Sequence, residues 1–425
     1  MISKNNTDRY TPDFNVMIKI AILTSLGFFF MGFLIPVISR QRMNATGLEI
    51  GLIISAMVIG FTLSSSFTGF ITDRIKSKKR YLIFIGSMGR GISYFIFYIS
   101  IVINALIGMW VGMFVLGFCA GFFWIPFDTL IAEKSNKNNR SQAFGKRDSA
   151  NAIGQIIGGL VGFGILLTVG LFTDNPLYLY SAILIFGMAN FLAGILFLKY
   201  VDESIKFYDD DVSSNESSNK DSELSIFNFP KPMIIGLIIL FCVVLLASIN
   251  GNLAKPFLNI YIIENLSDNL YIVILIYLPS GLLATFLAPK LGAIMDKLEP
   301  RIAIVVLSLS GAIITWFLVN TKDILLFAIL LLFDITIAIS AGLLFRNLLS
   351  RITIEHRGKI LGICSFFVNI GSIIGPILGG FVWDASGPKA PFIVSIFVEL
   401  CLIPLYFIVV HLLLPHVAET YEKEE

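Results

Sequence analysis

The sequence predicts an all-α membrane protein that crosses the bilayer twelve times. Hydrophobic residues make up 56% of the 425 residues and charged residues only 14%, whereas soluble proteins typically carry about 25% charged residues. The mean hydropathy is +0.84, and the charges fall between apolar runs of the roughly 20 residues that a membrane-spanning helix needs. Twelve spans leave no room for a soluble catalytic domain of about 100 residues. An enzyme is therefore not expected.

The apolar runs define the spans, which we number one to twelve in chain order. Their predicted positions are 16–39, 47–72, 81–102, 104–130, 142–170, 177–200, 232–262, 269–294, 302–319, 323–346, 358–383 and 390–414. Between the sixth and seventh spans, residues 201–230 are acidic and rich in serine. Such a stretch cannot bury enough apolar area to order itself.

This segment divides the chain into two halves. We predict an N-terminal six-helix bundle at 1–200, a flexible cytoplasmic linker at 201–230, a C-terminal bundle at 231–414 and a cytoplasmic tail at 415–425. Loops after spans two, four and ten are rich in lysine and arginine, whereas those after spans three, five and nine are nearly free of them, apart from Lys322. Because such loops stay inside the cell, we expect a multi-pass protein of the cell membrane with both termini in the cytoplasm.

The two halves repeat one another. Five residues around span five recur 217 residues later around span eleven. The pairs are Arg140 with Arg357, Gly145 with Gly362, Gly154 with Gly371, Gly158 with Gly375, and Gly162 with Gly379. Because six spans is an even number, the copies keep the same orientation, and a pseudo-two-fold axis along the membrane normal relates them. Transporters use this plan to rock one bundle against the other.

Two motifs then resemble the major facilitator superfamily. After span two the family has G-x-x-x-D-R-x-G-x-R-R, and the matching residues are Gly69, Asp73, Arg74, Lys78 and Lys79, with Lys76 in place of the second glycine. The copy after span eight has Gly292, Asp296 and Lys297. The family's G-x-x-x-G-P-x-x-G-G motif stands in span eleven as Gly371, Gly375, Pro376, Gly379 and Gly380.

The resemblance implies a monomeric secondary transporter with two six-helix bundles, which moves a small molecule by alternating access. It also implies that the residues after spans two and eight act as gating motifs, with Asp73 facing the start of span eleven near Gly358. The arginine that the exporter branch uses in span four for proton coupling is absent from residues 113–121. That absence argues against the standard proton/drug antiporter.

Three functions stay open. We favour an exporter of amphiphilic organic molecules, in which Asp334 of span ten could bind a proton or a cationic group. The alternative is an importer of a nutrient or organic anion, with Arg90 or Lys255 as its charge partner. A non-transporting receptor or scaffold is less well supported, since it has no need for a gating motif.

Other residues have both a structural and a functional interpretation. The glycines Gly154, Gly158, Gly162, Gly371, Gly375 and Gly379 form helix stripes, which favours tight packing where the halves meet. Charges inside spans are costly in lipid; we favour a structural role for Arg90 and Glu399, and leave Asp334 open. Asn250, Asn252 and Lys255 predict a break or gate in span seven, and Trp124 belongs to an aromatic wall or to ordinary packing.

Cofactors, metals and nucleic acid are not expected partners. The four cysteines lie inside apolar runs, and the three histidines make no metal-ligand spacing. The formal net charge is only +2, so nothing favours a polyanion. The lipid bilayer and a small-molecule substrate, with protons as a further candidate, are the partners that the sequence supports.

Overall fold

The computed structural model describes residues 9–74, 78–136, 139–207, 231–295, 298–351 and 357–413. This part of the chain is helical, with one isolated antiparallel bridge between Tyr10 and Ser135. The helices are α1 (Phe14–Thr24), α2 (Phe28–Gln41), α3 (Gly47–Arg74), α4 (Lys79–Ile103), α5 (Leu106–Glu133), α6 (Arg140–Gly170), α7 (Pro176–Leu179), α8 (Ala182–Tyr200), α9 (Lys231–Leu253), α10 (Leu258–Asn265), α11 (Leu270–Met295), α12 (Pro300–Asn320), α13 (Ile324–Arg351), α14 (Arg357–Ser386) and α15 (Ala390–Leu413).

These helices confirm the predicted all-α membrane fold. Within the described ranges, eleven helical stretches are long and apolar enough to cross a bilayer, and the bent helix α11 would be a twelfth. Their bounds agree with the predicted spans to within a few residues, except that span six begins at Ala182 rather than near 177. There Asn175 caps the short helix α7, because its side chain accepts from the Leu177 N–H at 3.1 Å.

The chain forms two compact units. The first is Met1–Ala45 with Ala56–Ser222, and the second is Thr46–Ser55 with Glu223–Glu425. In the first, α4 packs on α5 and α8, while α6 packs on α1 and α2; in the second, α9 packs on α14 and α15, and α11 packs on α13. Helix α3 is thus shared, since its first turns group with the second unit.

The segment predicted as a linker begins with ordered residues. Val201 is buried and the chain up to 207 packs on the first unit. The predicted start of the linker at 201 therefore differs from the structure, because Asp202 and Glu203 find hydrogen-bond partners in that unit. Residues 208–230 and the predicted tail 415–425 lie outside the described residues.

Span one is interrupted in its middle. Helix α1 ends at Thr24 and α2 begins at Phe28. Gly27 adopts a φ of +82°, a left-handed conformation that glycine takes without a steric cost. A side chain at Gly27 would also come within 2.5 Å of the Phe186 ring. The sequence did not predict this break.

The glycine stripe of α6 packs against span one across the break. A Cβ atom on Gly154 would overlap the carbonyl of Ile22, one on Gly158 would overlap the Gly27 backbone, and one on Gly162 would lie 2.6 Å from the Phe30 ring. These glycines allow the backbones to approach closely, which is how small residues drive helix association in lipid.

The stripe of α14 repeats this contact in the second unit. A Cβ on Gly371 would lie 2.6 Å from Ser248, and one on Gly375 would lie 2.7 Å from the Ile249 carbonyl. A Cβ on Gly379 would overlap the carbonyl of Leu253. The sequence placed both stripes where the halves meet. That was wrong for these six glycines, since each faces a helix of its own unit.

Two glycines of α6 provide a matched test of this packing. We expect Gly158→Ala to lower the free energy of unfolding of the purified protein by about 1–3 kcal/mol, the usual cost of overpacking. Gly164 has open space where its Cβ would lie, so Gly164→Ala should leave stability unchanged or raise it by about 0.5–1 kcal/mol. Thermal unfolding in detergent measures both variants. Equal shifts would contradict the packing assignment.

Candidate functional site

Arg90 fills the break in span one. Its side chain, on α4, is 2% exposed. The guanidinium donates from Nη1 to Thr24 Oγ1 at 2.6 Å and from Nη2 to the Thr24 carbonyl at 2.8 Å. The Tyr94 hydroxyl donates to the carbonyl of Leu26 at 3.3 Å. A cation therefore sits at the C-terminal end of α1, where carbonyls lack helical partners and the helix dipole is negative.

Aromatic rings enclose the same guanidinium. Its central carbon lies 5.3 Å from the ring centroid of Phe123 and 5.7 Å from that of Trp124, within reach of a cation–π attraction. Trp124 also packs edge-on against Phe127 at 5.6 Å, and Phe123 and Phe127 are fully buried. The predicted aromatic wall is thus packed into the first unit, with Trp124 half-buried at its margin.

A polar network joins this break to three further helices. Thr24 Oγ1 donates to Asn190 Oδ1 on α8 at 3.1 Å, and Ser87 on α4 donates to the Asn190 carbonyl at 2.7 Å. Ser25 Oγ donates to Asn151 Oδ1 on α6 at 3.0 Å. No carboxylate of the described chain pairs with Arg90, so uncharged groups alone hold the cation.

Span seven is interrupted at the equivalent place in the second unit. Helix α9 ends at Leu253, and a 3-10 turn over Lys255–Phe257 leads into α10. Asn252 Nδ2 donates to the Ser248 carbonyl at 2.8 Å and to Ser372 Oγ at 3.2 Å. Lys255 is exposed, and it makes no ion pair within the described ranges. The predicted break in span seven is confirmed.

Two acidic side chains lie inside the spans of the second unit. Asp334 on α13 accepts from Thr315 Oγ1 at 2.7 Å. Glu399 on α15 accepts from Asn250 Nδ2 at 2.9 Å and from Ser308 Oγ at 2.7 Å. The structure thus brings Asn250 to Glu399, whereas Asn252 bonds within α9 and to α14.

A cavity of about 410 Å³ opens between α1 and α6 in the first unit. Its lining combines isoleucines with a few polar side chains: Ile18, Ile22, Ile153, Gln142, Lys146 and Ser149. The Lys146 ammonium lies 4.2 Å from the ring centroid of Tyr10. The depression is open to its surroundings and mainly apolar.

The predicted gating residues are described only in part. Arg74 and Lys78 are exposed, and a Cβ on Gly69 would meet open space, while one on Gly292 would make an ordinary contact with Leu343. The Asp73 side chain and all of Asp296 and Lys297 lie outside the described residues. The predicted approach of Asp73 to the start of span eleven therefore stays a prediction.

Lys79 belongs to a cluster of charges that the sequence did not indicate. Its ammonium pairs with Glu133, and its N–H donates to Glu203 Oε2 at 3.0 Å, so that Glu203 caps the start of α4. Nearby, Lys134 is fully buried and pairs with Asp13 at 2.6 Å. The hydrogen bonds from Ser204 hold the pKa of Asp202 below its ordinary value.

The start of α3 is capped from within the second unit. Asp384, near the end of α14, accepts from the Gly47 N–H at 2.7 Å and from the Leu48 N–H at 2.8 Å. Thr46 and Glu49 complete a capping box, with bonds of 2.7 and 3.2 Å between their side chains and backbone N–H groups,. The T-x-x-E spacing could have revealed the box, but nothing in the sequence indicated Asp384.

Close backbone contacts hold this cap in place. A Cβ on Gly380 would overlap the carbonyl of Gly47, and a Cβ on Gly51 would overlap that of Pro376. Ser55 Oγ donates to the Ile373 carbonyl at 2.7 Å. Gly380 and Pro376 of the family-like motif therefore serve the contact with α3, whereas the other glycines of that motif face α9.

One charged residue inside a span was overlooked. Asp128, near the end of α5, pairs with Arg147 of α6 at 2.5 Å. A carboxylate within the predicted span 104–130 was a usable signal, since intramembrane charges are rare and need partners.

Comparison with known proteins places these features in a family. The model of the Major Facilitator Superfamily matches residues 20–353. The chain is 25% identical over 359 residues to the multidrug resistance protein MdtG of Yersinia enterocolitica, covering 82% of this chain and 80% of the relative. It is 23% identical over 385 residues to multidrug resistance protein 2 of Bacillus subtilis, covering 85% and 87%.

Solved structures share the fold. A bacterial homologue of the human lysosomal transporter Spinster superposes with a TM-score of 0.72 at 12% identity, covering 97% of this chain and 100% of the other. A proton-dependent oligopeptide transporter gives a TM-score of 0.73 at 14% identity, covering 95% and 98%. At these identities the likeness concerns the fold alone.

The geometry around Arg90 yields a test of its role. Arg90→Met removes the positive charge at the C-terminal end of α1. A charge at a helix end contributes up to about 2 kcal/mol when it is partly buried, so the unfolding temperature should fall. Arg90→Lys should recover only part of the lost stability, because an ammonium lacks the planar fork that reaches both Thr24 atoms. Lys322→Met, on an exposed lysine, is the control. A stability equal to wild type would contradict the structural role.

Proposed function

Because the chain belongs to the major facilitator superfamily, we propose that this transporter exports amphiphilic organic molecules by alternating access. The observation that carries the direction is the match to two proteins named as multidrug resistance proteins, over at least four-fifths of each chain. The transported molecule is small, as the family and fold imply.

The interrupted helices support a role for spans one and seven in binding the solute. Span one is interrupted at Ser25–Gly27 and span seven at Ala254, and each break packs on a glycine stripe. In transporters built from repeats, interrupted helices near the bilayer midplane form the substrate and ion sites. For this reason we infer that each interrupted span takes part in substrate binding.

The cavity beside α1 supports an amphiphilic substrate. Isoleucine side chains line one part of it, while Gln142, Lys146 and Ser149 offer hydrogen bonds. A molecule with an apolar body and one polar end would find both kinds of surface there. This cavity belongs to the first unit.

The cap on α3 supports a gate. By the lysine and arginine distribution, the start of α3 and the end of α14 face the outside. We assign the hydrogen bonds from Gly47 and Leu48 to Asp384 to the closed outer gate. Opening would then detach the first turns of α3, residues Thr46–Ser55, from α14 within the second unit.

One observation supports the alternative function, the import of an organic anion. Arg90 is engaged within the protein, but Lys255 is exposed beside the break in span seven. A Lys255→Gln variant that loses transport, together with net movement into right-side-out vesicles, would favour this second function over export.

Transport by the purified protein tests the export function. Ethidium, a lipophilic organic cation, should accumulate in inside-out vesicles, and an imposed pH gradient should increase the accumulation. Asp334→Asn should depress this pH-driven component by about tenfold with normal membrane expression, as expected for loss of a coupling group. Asp174→Asn, in an exposed loop, is the matched control. Identical pH dependence in wild type and Asp334→Asn would remove Asp334 from coupling.

The gate has its own test. Asp384→Asn weakens the cap by removing its charge, and a loss of about 1.4 kcal/mol shifts a two-state population tenfold. Ile50, 1% exposed, is replaced by cysteine in a background without the four native cysteines. Labelling from the outside by an impermeant thiol reagent should then rise in Asp384→Asn but not in the exposed control Asp268→Asn. Unchanged labelling of folded protein would exclude the gate.

A further inference from the structure

The connection between spans five and six exposes apolar side chains outside both helices. Residues 171–181 connect α6 to α8. Four of their side chains are apolar or aromatic and between 46% and 83% exposed: Leu171, Phe172, Leu177 and Tyr178. We call residues 171–178 the apolar segment. Exposed apolar side chains that cluster in this way mark a surface that contacts a membrane or another protein.

Hydrogen bonds hold the apolar segment in a fixed conformation. The Asn175 N–H donates to Thr173 Oγ1 at 3.1 Å, and the Asn175 side chain caps α7. The Tyr98 hydroxyl of α4 donates to the Leu177 carbonyl at 2.7 Å. The backbone is thus fastened to span three while the apolar side chains stay exposed, so their exposure is a property of the folded unit.

The second copy of the duplication has a polar turn in place of the apolar segment. The offset of 217 residues that relates the two halves pairs Phe172 with Lys389. Residues 387–389 alone connect α14 to α15 there, and Lys389 is exposed and donates to Asn320 Oδ1 at 3.1 Å. A short polar turn is therefore enough to reverse the chain at this point of the fold. The apolar segment of the first copy serves another purpose.

The length of span six places the apolar segment at the membrane boundary. Helix α8 has 19 residues, which cover about 28 Å, slightly less than the hydrocarbon core of about 30 Å. A span shorter than the core draws its flanking residues to the interface. Span six also exposes a stripe of apolar side chains spaced three or four apart, as expected of a helix face in lipid: Ile185, Met188, Leu192 and Ile195,. The apolar segment is thus attached to a lipid-facing helix that is too short to hold it away from the bilayer.

We propose that the apolar segment is a membrane anchor, which lies in the interface of the lipid leaflet opposite the lysine-rich loops. Its leucine and phenylalanine side chains enter the boundary of the acyl chains, as in helices that lie in the plane of a membrane. Tyr178 has an apolar ring and a polar hydroxyl, the combination that favours tyrosine at the level of the lipid headgroups. The exposed side chains of Asp174 and Asn175 lie on the water side.

Such an anchor fixes the depth of spans five and six in the bilayer. Helix α6 carries the glycine stripe that packs on the break in span one, so the depth of α6 also sets the depth of the interrupted span. The polar turn at 387–389 gives the second unit no such anchor at the equivalent place. The anchor therefore acts on the first unit.

Electron paramagnetic resonance tests the anchor without a transported substrate. Full-length protein without its four native cysteines carries one nitroxide, at Phe172→Cys or at Lys389→Cys, in lipid nanodiscs. Collisions with oxygen, which dissolves in lipid, and with a water-soluble nickel chelate report the depth of the label. We expect the label at 172 about 5–10 Å into the boundary of headgroups and acyl chains, and the label at the matched position 389 in water. Equal nickel accessibility at both positions of folded protein overturns the proposal.

A second label position excludes an effect of the nitroxide itself. A label at Tyr178→Cys gives a second depth, and it replaces the label at 172 if the Phe172→Cys variant does not fold. Adding Leu171→Asn and Phe172→Asn should raise nickel accessibility at 178 toward the value at 389, because the side chains that enter the lipid are gone. Asp174→Asn, on the water side of the same segment, should leave it unchanged.

Two outcomes of this second experiment overturn the proposal. One is an unchanged depth at 178 in the folded variant with both asparagines. The other is a label at 172 of the purified protein that contacts nickel freely, as expected if another protein rather than lipid covers the segment.

Discussion

The structure depends on one constraint: every backbone polar group within the bilayer needs a partner inside the protein. An unbroken helix meets it automatically, but spans one and seven are interrupted. In span one the freed carbonyls of Thr24 and Leu26 accept hydrogen bonds from Arg90 and Tyr94, respectively. In span seven, the neutral side chain of Asn252 donates to the Ser248 carbonyl and to Ser372 Oγ. The positions of these polar residues follow from the breaks that they satisfy.

Duplication explains why the two units share this arrangement and where they differ. Both pack an interrupted span against a glycine stripe, on α6 in one and α14 in the other. The charged side chains near the breaks differ between the units. The first unit buries a cation, Arg90, and the second places an acid, Glu399, among neutral partners. An inherited backbone plan thus carries opposite charges in its two copies.

Local signals in the sequence predicted most of the fold. Hydropathy located the spans to within a few residues, because each must cover the hydrocarbon core. Glycines spaced four apart predicted the packing stripes, but not their partners, since spacing says nothing about which helix lies opposite. The site was harder. Arg90 bonds to a residue 66 positions away and Gly47 to one 337 positions away. Such pairings arise only when the helices pack, so they leave no trace in local composition.

The division of α3 has a consequence for how the gene can be rearranged. Thr46–Ser55 is encoded in the first half of the chain but groups with the second unit, where it covers Pro376 and Gly380. A polypeptide starting after residue 230 would lack α3. The surface of α14 that α3 covers would then be exposed, and Asp384 would have no helix start to cap. Two separately expressed halves would therefore each be incomplete. Recombination between relatives would separate a matched pair of helices wherever it joined α3 from one parent to α14 from another.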